Sequence, residues 1–115
     1  VRFEEIGTDD CDYLIVACGS MARISQKTVE IARKQGIKIG ILRPITLWPF
    51  PKKEVARLAA QVKGILVVEI NAGQMIEDVR LAATDNVKIE HFGRLGGIVP
   101  TPDEILDAFK EKILG

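Results

Sequence analysis

The stretch from Ile39 to Gln74 reads IGILRPITLWPFPKKEVARLAAQVKGILVVEINAGQ and decides the fold. Two apolar runs, Ile37 to Leu42 and Ile65 to Ile70, have the character of buried parallel strands. A loop stiffened by prolines and an amphipathic helix separate the two runs. Strand, helix and parallel strand make a βαβ unit. Arg43-Pro44 is expected to leave the first strand, at the start of the loop.

The flanking sequence predicts three more strands. Tyr13 to Ala17 is a continuous apolar run, as in a strand covered on both faces. Val87 to Phe92 alternates apolar and polar residues, which indicates a strand near an edge of the sheet. Arg2 to Ile6 is short and mixed in character, and we interpret it as an edge strand.

Helix signals alternate with these strands. Ser20 is predicted to cap a helix from Met21 to Gln35, which Gly36 ends. A further helix is predicted from Gln74 to Ala83, and the capping box Thr101 to Glu104 starts the last one. The alternation predicts an α/β fold, a three-layer α/β/α sandwich around a five-stranded, mostly parallel sheet.

Composition indicates one domain over residues 1–115. Lys+Arg and Asp+Glu are balanced at 16 each, so the chain has no basic footprint for nucleic acid or an anionic membrane. Its apolar runs are shorter than a bilayer span. An extended chain holds Cys11 and Cys18 roughly 20 Å apart, so free thiols and a reducing cytoplasm are expected. Because it opens with Val1, we interpret the chain as a fragment of a longer protein.

The carboxyl ends of the strands should meet at one edge of the sheet, where ligands usually bind. Gly19-Ser20 there fits a helix cap better than a phosphate cradle, since no glycine-rich phosphate motif is present. Cys18 and His91 fit a buried thiol and a structural histidine better than a nucleophile and its base. One histidine and two cysteines are too few for a zinc or iron–sulfur site. No catalytic, cofactor-binding or metal-binding residue is predicted.

Two other features of this edge need partners: the carboxylate of Glu69 and the apolar loop around Trp48. Glu69 is expected to accept N–H groups from the turn at Asn71 to Gln74, or to pair with Arg43, rather than to contact a ligand. The loop around Trp48 is too apolar to be left in water. It is either an interface or packs on its own sheet, and the sequence favours neither.

Four runs carry a family resemblance: LIVACGS at 14–20, GIKIGILRPITLWPFP at 36–51, VVEINAGQMIEDVR at 67–80 and GRLGGIVPTPDEI at 93–105. They resemble the C-terminal part of the α subunit of 2-oxoacid:ferredoxin oxidoreductases, over about Tyr13 to Phe109. The details are closer to the 2-ketoisovalerate type than to the 2-oxoglutarate type. The looser frame is shared with the C-terminal domain of transketolase-like thiamine enzymes.

The resemblance implies a transketolase C-terminal-like fold whose first strand is antiparallel. It implies a parent enzyme that oxidatively decarboxylates a 2-oxoacid to an acyl-CoA and reduces ferredoxin, using thiamine diphosphate, Mg and iron–sulfur clusters. This domain would bind none of these cofactors and would be inactive alone. It would pack against the other domains and subunits of an oligomer. The residues assigned to that interface, as a hypothesis, are Arg43, Pro44, Leu47, Trp48, Pro49, Phe50, Glu69, Asn71, Gly73 and Gln74.

Two alternatives remain. The domain could be a self-contained small-molecule binding module at the carboxyl edge, or a small cysteine enzyme that uses Cys18. Within the resemblance itself, a 2-oxoglutarate-specific enzyme is the alternative to a 2-ketoisovalerate enzyme.

Overall fold

The computed structural model describes residues 3–45, 51–69, 74–83, 87–93 and 99–115. Strands and helices alternate along these residues. The strands are β1 (Phe3–Ile6), β2 (Tyr13–Ala17), β3 (Ile39–Pro44), β4 (Gly64–Glu69) and β5 (Lys88–Gly93). The helices are α1 (Ser20–Lys34), α2 (Lys52–Gln61), α3 (Gln74–Ala82) and α4 (Pro102–Phe109), and a π-helical turn (Lys110–Leu114) follows α4.

The strands form one mixed sheet in the order β1-β3-β2-β4-β5. β1 runs antiparallel to β3, and the other neighbouring strands are parallel. The antiparallel first strand and the edge position of β5 were both predicted, and both are confirmed. The α/β sandwich is confirmed with them.

Each face of the sheet carries its own hydrophobic core. Leu14 and Val16 of β2 point to the side of α2 and α3, while Ile15 and Ala17 point to the side of α1 and α4. All four side chains are fully buried. The continuous apolar run of β2 is therefore explained by burial on both faces of the sheet, as the sequence predicted.

β3 begins and ends two residues later than predicted. The backbone N–H of Ile37 donates to the carbonyl of Ala32 at 2.9 Å and so closes the end of α1 instead of joining the sheet. At the other end, Arg43 and Pro44 stay in the strand because β1 pairs with them. The register sets Glu4 opposite Arg43 and Phe3 opposite Pro44.

The two helix starts that the sequence singled out differ. Thr101 and Glu104 form the predicted capping box at the start of α4. The prediction that Ser20 caps α1 is wrong. Ser20 is already helical, and the cap position is taken by Gly19 at φ 59°, with no side-chain cap. A side chain rarely adopts that backbone conformation, so glycine fills the turn.

The loop from Gly7 to Asp12 closes the amino edge of the sheet. Arg33, at the end of α1, donates to the carbonyl of Gly7 at 2.8 Å and to Asp10 at 3.1 Å. Gln61, at the end of α2, donates to the carbonyl of Thr8 at 2.8 Å. The buried thiol of Cys11 lies in the same loop, 3.7 Å from the carbonyl of Thr8.

Across the described ranges, every helix is too short or too polar to cross a membrane.

Candidate functional site

The carboxyl edge of the sheet brings together Cys18, Arg43, Glu69 and His91, as the sequence predicted. They stand at or near the ends of the four parallel strands. Most of the other residues proposed for the interface are not among the described residues. Leu47, Trp48, Pro49, Phe50, Asn71 and Gly73 lie outside the described residues, as does the side chain of Gln74.

Glu69 is the best-defined polar group of this edge. Its side chain is only 10% exposed. Oε1 accepts the backbone N–H of Met75 at 2.8 Å, and Oε2 accepts that of Ile76 at 3.2 Å. The carboxylate therefore caps α3 from the end of β4, where the helix dipole also favours a negative charge. Glu69 accepts backbone N–H groups, as predicted. The donors are Met75 and Ile76 in the helix, whereas the prediction named the turn from Asn71 to Gln74.

His91 approaches the same carboxylate from β5. Its buried Nε2 lies 3.3 Å from Oε2 of Glu69, and among the described residues it makes no hydrogen bond. The imidazole lies over Gly93, where an added Cβ would come within 2.7 Å of the ring. Gly93 thus leaves the room that the ring occupies.

Cys18 is a poor nucleophile in this setting. Burial raises the pKa of its thiol, and the nearby charge of Glu69 raises it further, while Arg43 acts in the opposite direction. A thiol with a raised pKa is mostly protonated at neutral pH, so little thiolate is present. This disfavours the cysteine-enzyme alternative.

Arg43 pairs with Glu4 of the adjacent strand at 3.6 Å, whereas the sequence suggested Glu69 as its partner. The reason is the register, which sets Glu4 directly opposite it. Within the described residues, the buried Nε of Arg43 has no hydrogen bond. Buried donors normally have acceptors, so this nitrogen is unusual.

Exposed apolar side chains lie beside Arg43. Phe3 is 36% exposed and Ile45 is 45% exposed. They are close together because Phe3 pairs with Pro44, the residue before Ile45. Ile45 lies between Pro44 and Leu47, two residues that were assigned to the interface, but it was not itself named, and Phe3 was not considered. The signal was available, since Ile45 is apolar and follows the end of β3 and Phe3 is the apolar residue that begins β1.

The described residues do not fit a metal or an iron–sulfur cluster. Among them, no group of three or more His, Cys, Asp or Glu side chains could hold a metal ion. The two cysteines stand at opposite ends of β2, Cys11 before it and Cys18 after it.

Comparison with known proteins gives the fold class first. A 2-oxoglutarate:ferredoxin oxidoreductase from Magnetococcus marinus, solved with 2-oxoglutarate, coenzyme A and succinyl-CoA bound, superposes with a TM-score of 0.85 at 26% identity. The match covers 98% of this chain and 20% of that one. A split-gene transketolase matches at 0.82 with 14% identity, over 98% of this chain and 41% of that one. These neighbours define a transketolase C-terminal-like α/β domain.

The family follows from sequence. The family model described as pyruvate:ferredoxin oxidoreductase core domain II matches residues 11–105. The ketoisovalerate oxidoreductase subunit VorB of Methanothermobacter thermautotrophicus is 39% identical over 96% of this chain. The 2-oxoglutarate synthase subunit KorA of Methanothermobacter marburgensis is 36% identical over 94%. The chain belongs to the pyruvate:ferredoxin oxidoreductase core domain II family. It spans 31% and 28% of the length of these two relatives.

Proposed function

We propose that this chain is the packing and assembly domain of a thiamine diphosphate-dependent 2-oxoacid:ferredoxin oxidoreductase. The parent enzyme would convert a 2-oxoacid and coenzyme A to an acyl-CoA and carbon dioxide, and would pass two electrons to ferredoxin. The observation that carries this proposal is the 39% identity to a ketoisovalerate oxidoreductase subunit over 96% of the chain. Family membership over residues 11–105 supports it independently.

The geometry of the carboxyl edge supports an assembly role rather than a catalytic one. Its carboxylate is used to cap a helix, and its thiol has a raised pKa. In the part of the chain that the structure describes, the buried Nε of Arg43 and Nε2 of His91 make no hydrogen bond, and apolar side chains are exposed nearby. Such a surface is completed by another protein surface. In this proposal thiamine diphosphate, Mg and the iron–sulfur clusters are bound by other domains of a cytoplasmic oligomer.

The interface would follow the two segments that the sequence singled out, Arg43 to Pro51 and Glu69 to Gln74. Glu69 has a defined part in it. By holding the start of α3 to the end of β4, it fixes the positions at which the chain leaves β4 and enters the helix.

2-Ketoisovalerate is the substrate that we propose, and 2-oxoglutarate is the alternative. The relatives named for ketoisovalerate and for 2-oxoglutarate are 39% and 36% identical, which is too small a difference to decide between them. Substrate choice is a property of the pocket where the transition state forms. In this proposal that pocket lies in the other domains.

The test is anaerobic reconstitution of the parent complex with and without this domain. The readout is viologen reduction with 2-ketoisovalerate, 2-oxoglutarate or pyruvate, each with coenzyme A. We expect turnover of one 2-oxoacid by the intact complex, and loss of assembly without the domain. If a complex fully loaded with cofactors oxidises none of the three, the proposal is wrong. If the isolated chain then binds a small molecule saturably, the binding-module alternative is correct.

A further inference from the structure

β1 is an edge strand whose outer side is free in the described part of the chain. It pairs with β3 on one side only. An edge strand exposes unpaired backbone N–H and C=O groups, which form a template for another strand. The exposed side chains of Phe3 and Ile45 lie where β1 reaches the carboxyl edge of the sheet. We refer to β1 together with Ile45 as the β1 surface.

The charges of the β1 surface are already paired within the domain. Glu4 forms an ion pair with Arg43, and Glu5 forms one with Arg57. Glu5 also accepts a hydrogen bond from Thr8 at 2.7 Å. An incoming strand would therefore meet an edge of low net charge with an apolar end.

A second copy of this chain is a poor occupant. In a two-fold antiparallel pair across one sheet, paired residues must point to the same face, so the pair is centred on a residue. For the sequence FEEI, centring within the acidic pair places Glu4 opposite Glu4 of the second copy, or Glu5 opposite Glu5. Like charges directly opposite each other destabilise a strand pair. A register centred on either glutamate is therefore disfavoured, and a strand of another sequence is the better occupant.

The length of the relatives indicates which segment could occupy the β1 surface. The chain spans about a third of the relatives that it matches, so in those proteins about two-thirds of the polypeptide lies outside this domain. We infer that an extended segment of another domain of the same oxidoreductase docks on the β1 surface, adding a strand to the sheet. That segment has an apolar residue against Phe3 and Ile45 and no acidic residue opposite Glu4 or Glu5. This inference rests on the proposed function and names the partner of its assembly surface.

Hydrogen exchange tests the added strand directly in the reconstituted complex. The β1 amides that point away from β3 should exchange about tenfold or more slowly in the complex than in the 115-residue chain alone. Unchanged exchange of these amides would overturn the inference. The isolated chain should sediment as a monomer, and a dimer held through β1 would contradict the choice of occupant.

Substitution provides a second, independent measurement. The double variant Phe3→Lys, Ile45→Lys should weaken association with the remaining domains about tenfold or more, because it places two charges in an apolar contact. Leu81→Lys is the matched control. Leu81 is 78% exposed, but it lies at the far end of α3, which points to the amino edge. The control should bind within about twofold of the unmodified chain.

The outcomes separate this inference from the proposed function. If the complex oxidises a 2-oxoacid but the double variant assembles as tightly as the control, the docking surface is wrong and the proposed function stands. If β1 becomes protected in a cofactor-loaded complex that oxidises no 2-oxoacid, the docking surface stands and the enzyme class is wrong. A circular dichroism melt of each variant verifies that it is folded.

Discussion

The two edges of the sheet are built differently. At the amino edge, side chains from the ends of α1 and α2 donate hydrogen bonds to the carbonyls of the loop from Gly7 to Asp12. At the carboxyl edge, the buried Nε of Arg43 and Nε2 of His91 have no hydrogen bond within the described residues, and Phe3 and Ile45 are exposed. The loop at the first edge is held by side chains of the domain itself, whereas the second edge is the one that we propose a partner completes.

This difference shows where the domain is stabilised and where it interacts. Hydrogen bonds to the carbonyls of a loop keep a fold closed, because a polar group left without a partner away from water costs about 1–3 kcal/mol. A surface that leaves donors unpaired gives up part of that stabilisation. In the carboxyl edge we interpret that loss as the requirement for a partner. Substitutions at the two edges should therefore have different effects, and the following experiments compare them.

The largest effect is expected from Gly40→Ala near the amino edge. An added Cβ would lie 2.8 Å from the carbonyl oxygen of Gly7 and 3.0 Å from the Sγ of Cys11. We expect a loss of about 3 kcal/mol in the free energy of unfolding, measured by urea denaturation. With Cys11→Ala added, the loss should be smaller than the sum of the two single losses, because the contact with Sγ is removed while those with the carbonyl of Gly7 and the Cβ of residue 11 remain. An unchanged midpoint for Gly40→Ala would show that this edge is loosely packed.

Glu69→Ala at the carboxyl edge should cost about 2 kcal/mol, because it removes the acceptor of two buried N–H groups at the start of α3. Hydrogen exchange at Met75 and Ile76 should accelerate. Glu77→Ala, on the same helix with a side chain 70% exposed, is the control and should change stability by less than about 0.5 kcal/mol. Equal effects of the two substitutions would refute the capping role.

Glu5 gives a smaller effect that depends on pH. Burial alone would raise the pKa of Glu5, but hydrogen bonds from Thr8 and Arg57 and the charge of Arg57 bring it below its ordinary value of 4.5. A lowered pKa in the folded state stabilises the fold above pH 4.5, and this contribution disappears as the pH falls through the folded-state pKa. Because Arg57 is half exposed, Glu5→Gln should cost less than about 1 kcal/mol at pH 7.

The measurement for Glu5 is urea denaturation of both proteins from pH 3 to pH 7. The two stabilities should converge toward pH 3. A gap that stays constant over this range would show that the carboxylate charge does not contribute.

The smallest effect concerns the reactivity of the two thiols. Since the charge of Glu69 helps to raise the pKa of Cys18, Glu69→Gln should increase iodoacetamide alkylation of Cys18 at pH 8 by about threefold. Arg43→Met should decrease it. Cys11, whose pKa is raised chiefly by burial at the other edge, serves as the internal control and should react at an unchanged rate. Equal acceleration of both thiols would instead indicate general loosening of the fold.

Sequence was sufficient for most of the fold because the strands are apolar runs. A strand that is buried on both faces is a continuous apolar run, such as Tyr13 to Ala17. It can be recognised without knowing which strands pair with it. Helix ends were harder to predict. Ser20 has the right side chain for a cap, but the turn before it needs a positive φ, so Gly19 takes the cap position.

The contacts of the carboxyl edge depended on strand register, which periodicity does not give. The sequence suggested Glu69 as the partner of Arg43, but β1 brings Glu4 opposite that side chain. Likewise, His91 approaches Glu69 because the parallel pairing of β4 and β5 sets it beside Val67 on the adjacent strand. Both outcomes follow from pairing between distant parts of the chain.

The order of the strands has a consequence during synthesis. Among the described strands β1 is synthesised first, and its only described partner, β3, ends at Pro44. At usual elongation rates of about 5–20 residues per second, β1 waits several seconds before it can pair. Two adjacent glutamates in FEEI keep this unpaired strand charged and poorly suited to β-aggregation throughout the wait. The acidic pair that opposes self-pairing in the folded domain thereby also protects the nascent chain.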